Sequence, residues 1–252
     1  MTRCVRSIGG YLRMKSLEKF YRSFVSAWDM VMDIPLPCRR EDEYYDAEGF
    51  SSAAMIPVVG LFPGVLLAAL GMFCRGSIGG SVIWAFAAFI VMESVNSGRG
   101  GRFVAEKISA LIFKNDSRSF VPSVVTLIML FKLAALFIVC FSRNTGFITL
   151  LFVLVFAFQM YCATFPESRA IIAVEPDEKR WLYVFPAVMI FLWFWGYPAI
   201  VLLSLAAVAA TAWFFRTKVW QDKAVLNGDD VTLAAGFLEV FILICAIVFQ
   251  GI

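Results

Sequence analysis

The sequence predicts an all-α, polytopic helical membrane protein with about seven transmembrane helices. Three observations predict it. First, 61% of the 252 residues are hydrophobic and only 16% are charged, against about 45–50% and about 25% in soluble domains. Mean hydropathy is +0.80. Second, the apolar residues gather in runs near the length of about 20 residues that crosses a bilayer as a helix. Third, the basic residues between those runs fall almost entirely on one side.

The chain opens on a basic segment with no signal-peptide core. "SLEKFYRSFVSAWDMVM" (Ser16 to Met32) then spaces apolar residues at helical intervals with charges between, which predicts an amphipathic interfacial helix. "IPLPCRREDEYYDAEGF" (Ile34 to Phe50) reads as a polar connector broken by proline. Residues 1–50 are thus a cytoplasmic segment, and 51–252 a transmembrane domain. Candidate spans lie at about 53–73, 79–95, 120–142, 146–165, 181–195, 198–215 and 232–250. The fifth and sixth are short and joined by "WGYP", which predicts a tight hairpin. "NSGRGGR", after the second span, reads as a flexible turn.

Basic residues set the orientation. Of the 22 Lys and Arg residues, nineteen lie in the N-terminal segment and the loops after the even spans. Only Arg75 and Arg143 fall on the other side, and Lys132 lies inside a span. The split predicts a cytoplasmic N-terminus in a cell inner membrane.

Several chemistries are excluded or disfavoured. There is no histidine, and the six cysteines form no CxxC pair, which argues against zinc sites, histidine-ligated haem and Ser-His-Asp catalysis. Neither a GxxxxGK[ST] loop nor a GxGxxG fingerprint occurs. No repeat is evident, and with it goes the inverted symmetry a transporter often shows.

Polar residues gather at three membrane entrances. "MESVNSGRGGR" supplies Glu93, Asn96, Arg99 and Arg102; "NDSR" supplies Asp116, Ser117 and Arg118; "NGDD" supplies Gly228, Asp229 and Asp230. Carboxylate and amide oxygens suit Mg²⁺, and arginines hold phosphate oxygens bidentately. An Asp or Ser just before a helix is equally a good N-cap, so Asp116 and Asp229 have a purely structural reading too. Two charges lie deeper. Lys132 is about ten residues past Pro122 and Glu239 about eight past Val231, on two helices that run the same way. At about 1.5 Å per residue both are on the order of 12–15 Å inside. Equal depth and opposite sign predict an ion pair, with the lining of a substrate cavity as the alternative.

Four stretches carry a resemblance to a known family: "MVMDIPLPCRR", "AAMIPVVGLFPGVLLAAL", "NDSRSFVPSVVTLIMLFKLAAL" and "NGDDVTLAAGFLEVFILI". In this order they resemble cobalamin synthase, the adenosylcobinamide-GDP ribazoletransferase family. The third is similar to that family's "KDSRIG" segment with its later lysine. The fourth is similar to its "TGDxLGA…SEVL" segment, with the same spacing from Asp229 to Glu239. The resemblance runs from about residue 25 to the end.

It implies a Mg²⁺-using membrane enzyme that joins adenosylcobinamide-GDP to α-ribazole or its 5′-phosphate and releases GMP. Asp116 and Asp229 would be catalytic; Ser117, Arg118, Arg102 and Gly228 would hold phosphate. Glu93, Asn96, Asp116 and Asp229 would face the metal. Membrane lipid is the other partner expected, with no nucleic acid and a homo-oligomer possible. The family's HxDGxxDxxD motif is lost, since Met92, Asn96 and Arg99 stand at its aspartate positions. Two further readings follow: a non-catalytic homologue that binds a corrinoid or a partner, and a small-molecule transporter.

Overall fold

The structure is a computed structural model that describes residues 18, 20–28, 55–95, 99–113, 117–163, 198–221 and 228–249. These are almost entirely helical, and no strand occurs among them. The helices are α1 (20–28), α2 (Ile56–Cys74), α3 (Ile78–Val95), α4 (Arg99–Phe113), α5 (Ser117–Phe141), α6 (Phe147–Ala163), α7 (Pro198–Phe214) and α8 (Gly228–Phe249). A π-helical turn, Phe215–Val219, extends α7. Five apolar segments are long enough to cross a membrane: Ile56–Cys74, Ile78–Val95, Arg118–Phe141, Val201–Val219 and Gly228–Val248. The shorter apolar helix Phe147–Cys162 joins them. The chain is therefore a polytopic helical membrane protein. Six of the seven expected spans coincide with these helices; the one at 181–195 lies outside the described residues.

α6 sits at the centre. Nearly every side chain from Phe147 to Cys162 is buried, which explains a helix apolar on all faces. In a bilayer, apolar burial alone does not drive helices together, so close backbone approach and polar bonds must. α2 meets α6 through Gly60 and Gly64, four residues apart. A Cβ on Gly64 would lie 2.6 Å from the Thr149 Cα, and one on Gly60 would collide with Phe156. α3 is tied to α2 by the Trp84 indole, whose Nε1 donates to the Leu67 carbonyl at 2.6 Å. α1 docks on α2 through Trp28 and Phe62, with ring centroids 5.6 Å apart. α8 touches α4, α5, α6 and α7.

The stretch expected to be a loop after the second span is instead largely helix α4. Within "NSGRGGR" the helix begins at Arg99, with Gly100 and Gly101 in its first turn, and residues 96–98 lie outside the described residues. Glycine is a poor helix former, by about 1 kcal/mol against alanine. Packing overrides that preference, because a Cβ on Gly236 of α8 would lie 2.9 Å from the Gly100 carbonyl oxygen. The two backbones approach closely there.

Replacing Gly64 with alanine should therefore push α2 from α6 and cost about 1–3 kcal/mol. Gly79→Ala is the control, since a Cβ there meets nothing within 4 Å. Thermal unfolding in detergent, followed by circular dichroism, should show a lowered midpoint for the first variant and none for the second.

Candidate functional site

The deepest polar feature is built on three helices. α5 carries Lys132 fully inside the bundle, with its side chain 2% exposed. Its Nζ donates to Glu239 Oε2 of α8 at 2.8 Å and to Glu93 Oε1 of α3 at 2.8 Å. The charges of α5 and α8 meet as their depths suggest. Lys132 lies about 22 Å beyond the start of α5 and Glu239 about 16 Å beyond that of α8. The difference closes because helical side chains lean back toward the N-terminus and lysine is long.

The sequence groups Glu93 with the metal-facing residues, yet its carboxylate accepts from Lys132. It is the more accessible carboxylate, 15% exposed against 4% for Glu239. One ammonium between two carboxylates leaves one excess negative charge if all three are ionised. Gly101 stands beside it: a Cβ there would lie 3.9 Å from Glu93 Oε2. The N-terminal end of α4, where helix N–H groups and dipole favour negative charge, thus adjoins this carboxylate.

The remaining candidates lie elsewhere. Arg102 is exposed and pairs with Glu106 at 3.0 Å. Arg118 is exposed in the first turn of α5. Ser117 opens that helix. Gly228 and Asp229 open α8, with Asp229 exposed and Asp230 buried. Asp229 lies in the first helical turn, where its charge favours the helix dipole. Asn96 and Asp116 lie outside the described residues.

Of the four residues expected around Mg²⁺, the two described ones, Glu93 and Asp229, stand apart. Asp229 precedes Glu239 by ten residues, about 15 Å along α8, whereas Glu93 is held at the level of Glu239 by their shared lysine. The structure therefore separates a deep carboxylate–lysine–carboxylate triad from a shallower set at the starts of α5 and α8. An apolar groove of about 500 Å³ between α6 and α7, lined by Leu154, Phe158, Tyr161, Leu205 and Trp213, holds neither set.

No protein-family model, no curated protein and no solved structure matches the chain.

The triad orders the expected cost of its removals. Lys132→Met leaves two buried carboxylates facing each other and should cost most, about 3–5 kcal/mol. Glu239→Gln keeps a lysine–carboxylate pair and should cost less. Glu93→Gln leaves a neutral pair and should cost least. Thermal melts and folded yield of the three variants and of the Lys132→Met/Glu239→Gln double variant check this. The double variant should lose clearly less than the sum of its two singles.

Proposed function

We propose that the chain is a cobalamin synthase-like transferase of the cell inner membrane, joining adenosylcobinamide-GDP to α-ribazole or its 5′-phosphate with release of GMP. The observation that carries the reading is the bond between Lys132 and Glu239, 107 residues apart in the chain. These are the deep charges of the two stretches that most specifically resemble the family. Their meeting supports treating both stretches as parts of one site.

The chemistry is attack of a hydroxyl or phosphate oxygen on a phosphorus of the pyrophosphate, which breaks the bridge and releases GMP. Such a step depends on positioning and on neutralising charge. In this reading Ser117, Gly228 and Arg118 hold substrate phosphates at the starts of α5 and α8, while Arg102, paired with Glu106 at the start of α4 beside the triad, stands apart from them. Asp116 and Asp229 act beside them. Mg²⁺, if retained with the substrate phosphates, is assigned to Asp116 and Asp229 rather than to Glu93. The starts of α5 and α8 lie on the cytoplasmic side.

A second reading has its own support. Glu93, the acid nearest the lost acidic motif, is bonded to Lys132. A chain without that motif, whose nearest described carboxylate is already bound to Lys132, fits a homologue that binds a corrinoid without turnover. A small-molecule transporter has less support, since no inverted repeat is visible in the sequence.

The test is purified protein in lipid, supplied with adenosylcobinamide-GDP, α-ribazole phosphate and Mg²⁺. Cobalamin should form, Asp229→Asn should abolish it, and Glu93→Gln should retain it. Binding of the corrinoid with no turnover would instead select the second reading, and no binding would remove both. The orientation is tested apart from the chemistry. A fluorescent reporter active only in the cytoplasm should shine at the N-terminus and stay dark at the C-terminus, because seven spans end on the far side.

A further inference from the structure

α4 and α5 form an antiparallel hairpin. At its joined end Phe113 stacks on Phe120, with ring centroids 4.0 Å apart. Twelve residues back along α4, Gly101 lies beside Glu93, and Glu93 bonds Lys132, twelve residues on along α5. The two fixed points are in register, so α4 runs beside the first half of α5 for about 18 Å. Glu106 is then level with Leu127, and Arg102 is about level with Leu130.

That stretch of α5 belongs to an apolar span, Arg118–Phe141. Leu127 and Leu130 are 65% and 58% exposed, as lipid-facing residues would be. α4 differs at the same level. Its exposed face carries Arg102, Glu106 and Lys107, and no described helix lies over it. Its other face, with Val104, Ala105 and Ser109, is buried against the bundle.

Charged side chains facing lipid tails cost about 2.5–3.5 kcal/mol each near a bilayer centre. A helix of this composition inside the membrane must therefore face water or protein. One helix ends at Val95 and the next begins at Arg99, which puts two helix ends, whose terminal N–H and C=O groups have no partner within the helix, near the triad. Such ends occur at membrane depth only where they are buried in protein or line a wet cavity.

We propose that the charged face of α4 lines a water-filled vestibule that enters the membrane beside α5 and ends at Glu93, admitting small hydrophilic solutes. The vestibule explains why Glu93 is more exposed than Glu239 although one lysine holds both. It makes Glu93 the member of the triad that a dissolved solute meets first. It does not depend on which reaction, if any, the protein performs.

The experiment places single cysteines at Arg102, Lys107, Leu127 and Leu130 in the full chain in lipid vesicles. Peptide mass spectrometry separates them from the six native cysteines. An impermeant, water-soluble thiol reagent should modify Arg102→Cys and Lys107→Cys from one face at least tenfold faster than Leu127→Cys and Leu130→Cys. Fluorophores on the two leucine positions should be quenched by lipids carrying a quencher in the acyl chain. Slow modification at Arg102 and Lys107 would overturn the vestibule. So would fast modification at Leu127 and Leu130, which would place the whole hairpin outside the bilayer.

Discussion

One ammonium group shared by two carboxylates is the constraint on which the arrangement of α3, α5 and α8 depends. Lys132 is 2% exposed, and its bonds to Glu93 and Glu239 are both 2.8 Å. An isolated charge so deep in apolar surroundings is strongly unfavourable. Each of the three groups therefore needs the others in place before its helix can settle. Apolar contacts tolerate sliding by a residue or a turn; an ion triad of this geometry does not. It fixes the depths of three helices relative to one another, and with them the break between α3 and α4.

Close backbone approach makes those bonds geometrically possible. Gly236 lies one turn before Glu239 on α8 and faces the Gly100 carbonyl at the distance of packed backbones. A larger residue at Gly236 would move α4 away from α8, and Glu93 precedes α4 by only a short connection. At the other side of the bundle Gly60 and Gly64 bring α2 onto α6 in the same way. Small residues thus hold the backbones together in a solvent where hydrophobic burial cannot, and the triad selects one depth among the packings they permit.

Much of the fold was legible in the sequence because the physics of a bilayer writes in long runs. Six spans could be placed within a few residues, and Lys132 and Glu239 could be matched by depth and sign. α4 was missed because its two N-terminal glycines read as a turn. The apolar positions Val104, Ile108 and Leu111 at helical spacing were the signal that could have shown it. Glu93 was misjudged for a related reason. It stands two residues before the end of its helical run, so it read as part of a surface entrance. The span's start at Ile78 puts Glu93 about 22 Å in, which is enough to reach Lys132. Without α4, nothing in the linear pattern showed that α3 ends at the level of the triad rather than at the membrane surface.

The unequal burial of the two carboxylates then assigns them different work. Glu239 and Lys132 are enclosed by packed helices, so their bond is the one shielded from solvent. Glu93 binds the same lysine from the edge of the bundle, next to the N-terminal turn of α4 and its run of arginines and glycines. Ion pairs gain strength as solvent is excluded, and lose it as water reaches them. The Glu93 bond is therefore the one that a change in the surroundings of α4 can alter while the Lys132–Glu239 bond keeps the helices in register. A triad built in this way joins a structural fastening to a chemically accessible group, and it does so with three side chains drawn from distant parts of the chain.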